Sequence, residues 1–197
     1  NTHSLLKYCI SKKIKNFILI SSDKAVRPTN IMGSTKRLAE LICLYLNKIE
    51  NIDSKISIVR FGNVLESSGS VVPIFKNQIL NGGPVTVSHP EITRYFMSLE
   101  EASLLVLESS ILGKGGEIYL LDMGQPIKIL DLAKKMIRLS GKSIRSSSNP
   151  NGDIEITFKG MKPGEKLYEE LLIDNNSQKT DNDLIYQSIK NKIDTEA

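Results

Sequence analysis

At 197 residues, with 40% hydrophobic and 24% charged side chains, the chain has the make-up of a soluble globular protein and room for one ordinary domain or part of a larger one. Its net charge of +4 is spread along the chain rather than gathered in a stripe, and only 6% of residues are aromatic, which excludes nucleic acid as a partner class. No apolar run approaches the roughly 20 residues that span a bilayer. Cys9 and Cys43 share no metal-ligand spacing, so we expect no metal site and two buried free thiols in a reducing cytoplasm.

Taken in order, residues 3–13 read as an amphipathic helix ending in Lys12-Lys13, cations suited to a helix C-terminus. The apolar run Phe17-Ile18-Leu19-Ile20 reads as a buried strand reaching Ser21, and it empties into the polar stretch Ser21-Ser22-Asp23-Lys24. Arg27-Pro28-Thr29-Asn30 is turn chemistry. A helix follows from Ile31 to Asn47, with Leu38, Leu41, Ile42 and Tyr45 at helical spacing and Met32 and Lys36 four residues apart on one face. Ile56 to Phe61 reads as the next strand. Strand, long helix and strand in that order predict an α/β fold with a parallel sheet and a crossover helix. Ligands of such sheets collect at the carboxyl ends of the strands, where Ser22, Asp23 and Lys24 lie.

Ser67 to Ser70 reads as a flexible link, and Val71 to about Asn81 as a helix stopped by Gly82-Gly83-Pro84. Val85-Thr86-Val87 is a short strand. His89 stands without a partner in sequence and reads as a loop residue. Ser98 caps a helix to Leu112 with Glu100 and Glu101 in its first turn. Residues 117–122 are a strand, 127–139 a helix with Ile129, Leu132, Met136 and Leu139 on one stripe, 142–152 a polar loop, and 154–158 an alternating strand. Past Asp174 the chain turns polar and reads as a solvated tail, with a short strand or helix near Leu184 to Ile189.

Ser22, Met32 and Lys36 match the Ser/Thr…Tyr-x-x-x-Lys signature of extended short-chain dehydrogenase/reductases, except that methionine holds the tyrosine position. The whole run S-S-D-K-A-V-R-P-T-N-I-M-G-S-T-K-R, residues 21–37, resembles the UDP-N-acetylglucosamine 4,6-dehydratases of capsular and O-antigen polysaccharide biosynthesis. The resemblance continues through Arg60-Phe61-Gly62-Asn63-Val64, Thr93-Arg94-Tyr95-Phe96-Met97 and Met161-Lys162-Pro163-Gly164-Glu165-Lys166, to about Leu172.

This resemblance implies a Rossmann-like fold binding NAD, or NADP, and a UDP-sugar. A dinucleotide-binding fold opens on a strand and G-x-x-G-x-x-G, and neither is among these residues. The chain is therefore expected to be the carboxyl-terminal part of a longer enzyme, missing the amino-terminal half of the fold. Residues 1–64 would close the NAD-binding domain, 65–174 would form a smaller α/β substrate-binding region with returning Rossmann elements, and 175–197 a polar tail. The full-length parent is expected to form homo-oligomers in the cytoplasm or at a membrane anchor.

The resemblance also assigns roles. Ser22 would hydrogen-bond the sugar C4 oxygen, Asp23 would protonate the leaving C6 hydroxyl, Lys24 would be the base at C5, and Lys36 would hold the nicotinamide ribose. Ser21, Arg60 and Gly62 are further cofactor-side candidates. Asn63 would lie beside the diphosphate, Arg94 and Lys162 would meet phosphates, and Glu165 would reach the uridine ribose. Lys162 stands where the family has arginine, keeping the charge but losing two-pronged geometry. Met32 has no proton to give or take. Either another group such as Asp23 takes the C4 proton or the site is inactive, unless Met32 merely packs in the core. Three readings stay open: a lyase, a nucleotide-sugar 4-epimerase, and a binding remnant without turnover.

Overall fold

The structure, a computed structural model, describes residues 1–49, 53–67, 69–170 and 177–189. In chain order the elements are α1 (Thr2–Ser11), β1 (Asn16–Ile20), a 3₁₀ turn (Asp23–Ala25), α2 (Ile31–Ile49), β2 (Lys55–Arg60), β3 (Asn63–Val64), α3 (Val71–Leu80), β4 (Val85–Val87), β5 (Thr93–Arg94), β6 (Phe96–Met97), α4 (Leu99–Leu112), β7 (Ile118–Leu121), β8 (Ile127–Lys128), α5 (Ile129–Leu139), β9 (Ile144–Arg145), β10 (Ile154–Phe158), β11 (Ser177–Lys179) and β12 (Ile185–Ser188). They form two compact units: Asn1–Gly62 with Glu100–Asp122 and Glu170–Ala197, and Asn63–Leu99 with Met123–Glu169.

The first unit is a five-stranded sheet in the order β1-β2-β7-β12-β11. β1, β2 and β7 run parallel, as the strand–helix–strand pattern predicts, with Ile20 opposite Val59 and Ile58 opposite Ile118. β2 is buried from Ile56 to Arg60, the run expected of an inner strand with both faces covered. Among the described residues β1 is the outer strand, paired with β2 alone. Phe17, Ile18 and Leu19 are therefore half-buried rather than buried, and Ile20 is exposed. The core joins Leu6 of α1 and Cys43, Leu44 and Leu46 of α2 to Ile56, Ile58 and Ile118. α2 buries Gly33, Glu40, Cys43, Leu44 and Leu46, so Leu38 and Tyr45, prominent in the helical pattern, face outward.

Within the polar stretch past Asp174, the short strand or helix expected near Leu184 to Ile189 is β12, and a second strand, β11, precedes it. β12 pairs antiparallel with β7, Ile185 opposite Leu121, and β11 pairs with β12. Ile185 is fully buried, which anchors this otherwise polar hairpin to the sheet. Ser68 of the expected link, residues 171–174, and residues 175, 176 and 190–197 of the expected tail lie outside the described residues. Among the described residues no helix is long and apolar enough to cross a membrane.

The second unit has a parallel three-stranded sheet, β4-β10-β9, and two small pairs, β3 with β6 and β5 with β8. α3 and α5 close its core, where Phe75 and Ile79 meet Val85, Val87, Ala133, Ile137 and Ile154. The expected helix at 127–139 begins two residues late, because Ile127 and Lys128 are spent pairing with Arg94 and Thr93. The expected loop at 142–152 contributes Ile144-Arg145 as an edge strand beside β10.

Candidate active site

Two backbone bonds place the polar stretch after β1. The Ser21 amide donates to the Val59 carbonyl at 2.8 Å and the Asp23 amide donates to the Phe61 carbonyl at 3.2 Å, so the chain still follows β2 after β1 has ended. Ser22 then caps the 3₁₀ turn, its Oγ accepting from the Lys24 amide at 3.3 Å. Within this turn the Asp23 side chain has no solvent exposure. Its Oδ1 accepts from Ser22 Oγ at 2.7 Å and from Lys24 Nζ at 2.9 Å. Its Oδ2 is buried and has no hydrogen-bond partner among the described residues. An ionised oxygen held from water without a partner is costly, and such groups mark places where a protein handles a proton or a ligand. The three adjacent residues expected to carry the chemistry thus form one hydrogen-bonded group.

α2 is built to bring its first turn against this group. Asn30 starts it, its Oδ1 accepting from the Gly33 amide at 2.8 Å. Gly33 packs directly on the Lys24 carbonyl. Met32, in the same turn, is about half exposed at 48%, so it does not serve as core packing. Lys36, one turn on, is half-buried and donates from Nζ to the Ile20 carbonyl at 3.2 Å. Its ammonium is thereby fixed at the carboxyl end of β1.

Ser21 and Arg60, expected on the cofactor side, both turn their side chains inward. Both side chains are buried and engaged by Glu40 of α2, which has no solvent exposure. Glu40 Oε1 accepts from Ser21 Oγ at 2.6 Å and Arg60 Nε at 2.7 Å. Oε2 accepts from Arg60 Nη2 at 2.7 Å and Arg37 Nη1 at 2.9 Å. Burial opposes ionisation of Glu40, but the Arg60 guanidinium, then Ser21 and Arg37, hold its carboxyl below the usual carboxylate range. One turn along, burial first and the Glu40 charge second push the Cys43 thiol up to about 12. Cys43 is a buried free thiol as expected, while Cys9 is only half-buried. Gly62 closes this unit in a half-buried turn.

Nothing in the helical pattern marks Glu40, because a glutamate on an amphipathic helix usually faces water. The available signal is Arg60, a charged residue closing the inner strand after Ile58-Val59, which must find a counter-ion.

The second unit holds the residues expected at the nucleotide. Asn63, on β3, donates from Nδ2 to the Tyr95 carbonyl at 3.1 Å. Arg94, on β5, has a mostly buried side chain whose Nη1 donates to the Thr93 carbonyl at 2.7 Å. It also lies 3.5 Å from Glu165 and 3.8 Å from Glu169. Glu165 accepts from Ser88 Oγ at 3.1 Å and from the Lys162 amide at 3.0 Å. The Glu165 amide returns a bond to the Lys162 carbonyl at 2.9 Å, so the Lys-Pro-Gly-Glu turn is closed on itself. Lys162 is exposed. His89, read as a loop residue, accepts at Nδ1 from the Glu91 amide at 3.1 Å within its own turn. Arg94, Glu165 and Lys162 are therefore brought together within this unit, and Ser88 is a contributor that the sequence pattern did not single out.

The family described as polysaccharide biosynthesis protein matches residues 1–190. The capsular polysaccharide biosynthesis protein CapD of Staphylococcus aureus is 58% identical over 160 residues, 81% of this chain and 25% of CapD. UDP-glucose 4-epimerase of Rickettsia rickettsii is 34% identical over 181 residues, 91% of this chain and 50% of the epimerase. Among solved structures, Pen from Bacillus thuringiensis superposes with a TM-score of 0.83 at 33% identity, covering 94% of this chain and 56% of Pen. The chain spans a quarter to about half the length of these proteins. The fold is the Rossmann-like α/β fold expected, and the chain belongs to the polysaccharide biosynthesis protein family.

Proposed function

We propose that the chain is part of a nucleotide-sugar 4,6-dehydratase that converts a UDP-N-acetylhexosamine, with UDP-N-acetylglucosamine as the expected substrate, to a 4-keto-6-deoxy sugar nucleotide for surface polysaccharide. The observation that carries this reading is Asp23: a buried carboxylate with one oxygen bonded to Ser22 and Lys24 and the other without a partner among the described residues. A simple alcohol oxidation at C4 needs one proton acceptor, whereas removing water across C5 and C6 needs an acid and a base side by side.

NAD, when bound, supplies the hydride chemistry, taking a hydride from sugar C4 and returning it to C6. The residues present fit such a group: Lys36 sets its ammonium at the carboxyl end of a parallel strand, suited to a ribose hydroxyl. Ser22 holds the C4 oxygen. With a thioether at position 32, the C4 hydroxyl proton passes to Asp23, which then gives it to the departing C6 hydroxyl as water forms. Lys24, 2.9 Å from Asp23 and acting as a neutral amine, takes the C5 proton. Lys24 later returns that proton to C5, so the acid–base account closes. Arg94 and Lys162 would bind the diphosphate, Asn63 would lie beside it, and Glu165 would meet the ribose.

The test is mass spectrometry of UDP-N-acetylglucosamine incubated with NAD and the chain, alone and joined to an upstream glycine-rich half from a relative. Loss of one water is the expected product of the joined form. A 4-epimerase is the second reading, favoured by the 34% identity to a protein of that name, and it would leave the mass unchanged while altering C4. Binding without either product would indicate a nucleotide-sugar-binding remnant. We further expect the full-length enzyme to be a homo-oligomer.

A further inference from the structure

We propose that Glu40 is a positioning residue that clamps the Ser22-Asp23-Lys24 group to α2 and β2; the inference rests on the dehydratase reading for its effect on catalysis but not for its structural content. The clamp has three arms. Ser21, the residue immediately before the reactive stretch, donates to Oε1 at 2.6 Å. Arg60, the last residue of β2, grips both oxygens at 2.7 Å each. Arg37, on α2 itself, completes Oε2 at 2.9 Å. The carboxylate therefore ties the carboxyl ends of two parallel strands to the helix that carries Met32 and Lys36, Lys36 being one turn before Glu40.

Stability alone is a poor explanation for this cluster. Apolar side chains of similar volume commonly serve a buried site as well as an ion pair or better, because the charges lose their hydration. Directional bonds give what packing cannot, a fixed register. Slippage of α2 along the sheet would break all the bonds from Ser21 and Arg60 together, while an apolar contact would tolerate it. Gly33 of α2 packs on the Lys24 carbonyl at one end of the reactive group, and Ser21 holds the other. The group's backbone is anchored to β2 by the Ser21 and Asp23 amides, and both lie within three residues of the Ser21 hydroxyl. Errors of about 1 Å in placing reacting groups cost on the order of 100-fold in rate.

The test is amide hydrogen exchange on the 197-residue chain, comparing wild type with Glu40→Gln and with the paired apolar replacement Glu40→Leu/Arg60→Met. In Glu40→Gln we expect the Ser21 and Asp23 amides to exchange about 10-fold faster or more, beyond any change at Ile58 in the same sheet. The paired replacement should keep or regain global protection while leaving those two amides fast. Protection that falls equally across the sheet in Glu40→Gln, or that returns at Ser21 and Asp23 in the paired variant, would overturn the clamp. If Glu40→Gln does not fold, the paired variant decides alone. In the joined enzyme, Glu40→Gln should lower kcat for water loss about 100-fold with KM for UDP-N-acetylglucosamine within a few-fold. An unchanged kcat would overturn the catalytic part. If the wild-type joined enzyme releases no water, the dehydratase reading fails, and the exchange measurement still decides the clamp.

Discussion

Gly33 packs against the Lys24 carbonyl so closely that a β-carbon there would overlap it, with Pro28 Cβ at 3.1 Å leaving no side room. The obstruction is backbone rather than a flexible side chain, so it cannot swing away. The glycine following Met32 is thus required by the approach of α2 to the turn bearing Asp23 and Lys24. Gly33→Ala should destabilise the protein by about 1–3 kcal/mol, the usual cost of forcing atoms into a packed site. It should also lower the rate of water loss by more than the fraction unfolded explains. Urea denaturation alongside product formation checks both.

Asp23→Asn tests the acid–base group directly. The amide keeps the shape and can still accept from Ser22 and Lys24, but it cannot carry the C4 proton to the C6 hydroxyl. We expect a loss of about 10²–10⁴-fold in kcat, the range for one general acid–base group. UDP affinity, measured by calorimetry, should stay near wild type, because the residues assigned to the nucleotide are unchanged. Equal losses in binding and turnover would point to a structural role for Asp23.

The crossover β1–α2–β2 was legible because its apolar runs, turn residues and helical spacing agree. The run Ser22-Asp23-Lys24 stood out through its resemblance to the dehydratase family, because polar residues at a strand's end do not by themselves announce chemistry. Glu40 was not legible, because its partner Arg60 lies 20 positions away in sequence. The strand β12 was legible only as a short strand or helix near Leu184 to Ile189, because one buried isoleucine amid Asn, Asp and Gln carries almost no period-2 signal. Two-residue strands such as β5 and β8 have no pattern at all and exist only through their pairing. The apolar stripe through Leu38 and Tyr45 announced a helix but misplaced its buried face, which is set by the sheet and not by hydropathy.

Acid should destabilise the protein in a defined window. The Glu40 carboxyl is held below its ordinary value of 4.5, so its contribution is fully present above that pH and is lost as pH falls through the depressed folded value. The urea midpoint should be flat from about pH 7 to about 5 and fall below about 4.5. Glu91, beside Lys128, and Asp153, beside Ser143, shift in the same direction. Both are exposed, so high salt should screen the ion pair of Glu91 while sparing the buried Glu40 cluster. Glu40→Gln should flatten the acid limb that remains in high salt.

Arg94 and Lys162 make opposite predictions from one geometric argument. The Arg94 guanidinium serves the Thr93 carbonyl, Glu165 and Glu169 from separate nitrogens, and a planar fork can keep some of these contacts while meeting a phosphate. An ammonium cannot divide itself in this way. Arg94→Lys should therefore weaken UDP binding about 10-fold, or about 1.4 kcal/mol. Lys162 is exposed, and its backbone, not its ammonium, builds the turn with Glu165. Lys162→Arg should leave that turn intact and tighten UDP binding a few-fold by adding a two-pronged contact. Calorimetric titration with UDP measures both variants. Tightening by Lys162→Arg without loss in Arg94→Lys would shift the phosphate grip from Arg94 to the turn. Loss in Arg94→Lys alone would assign it to Arg94 and leave Lys162 a surface cation.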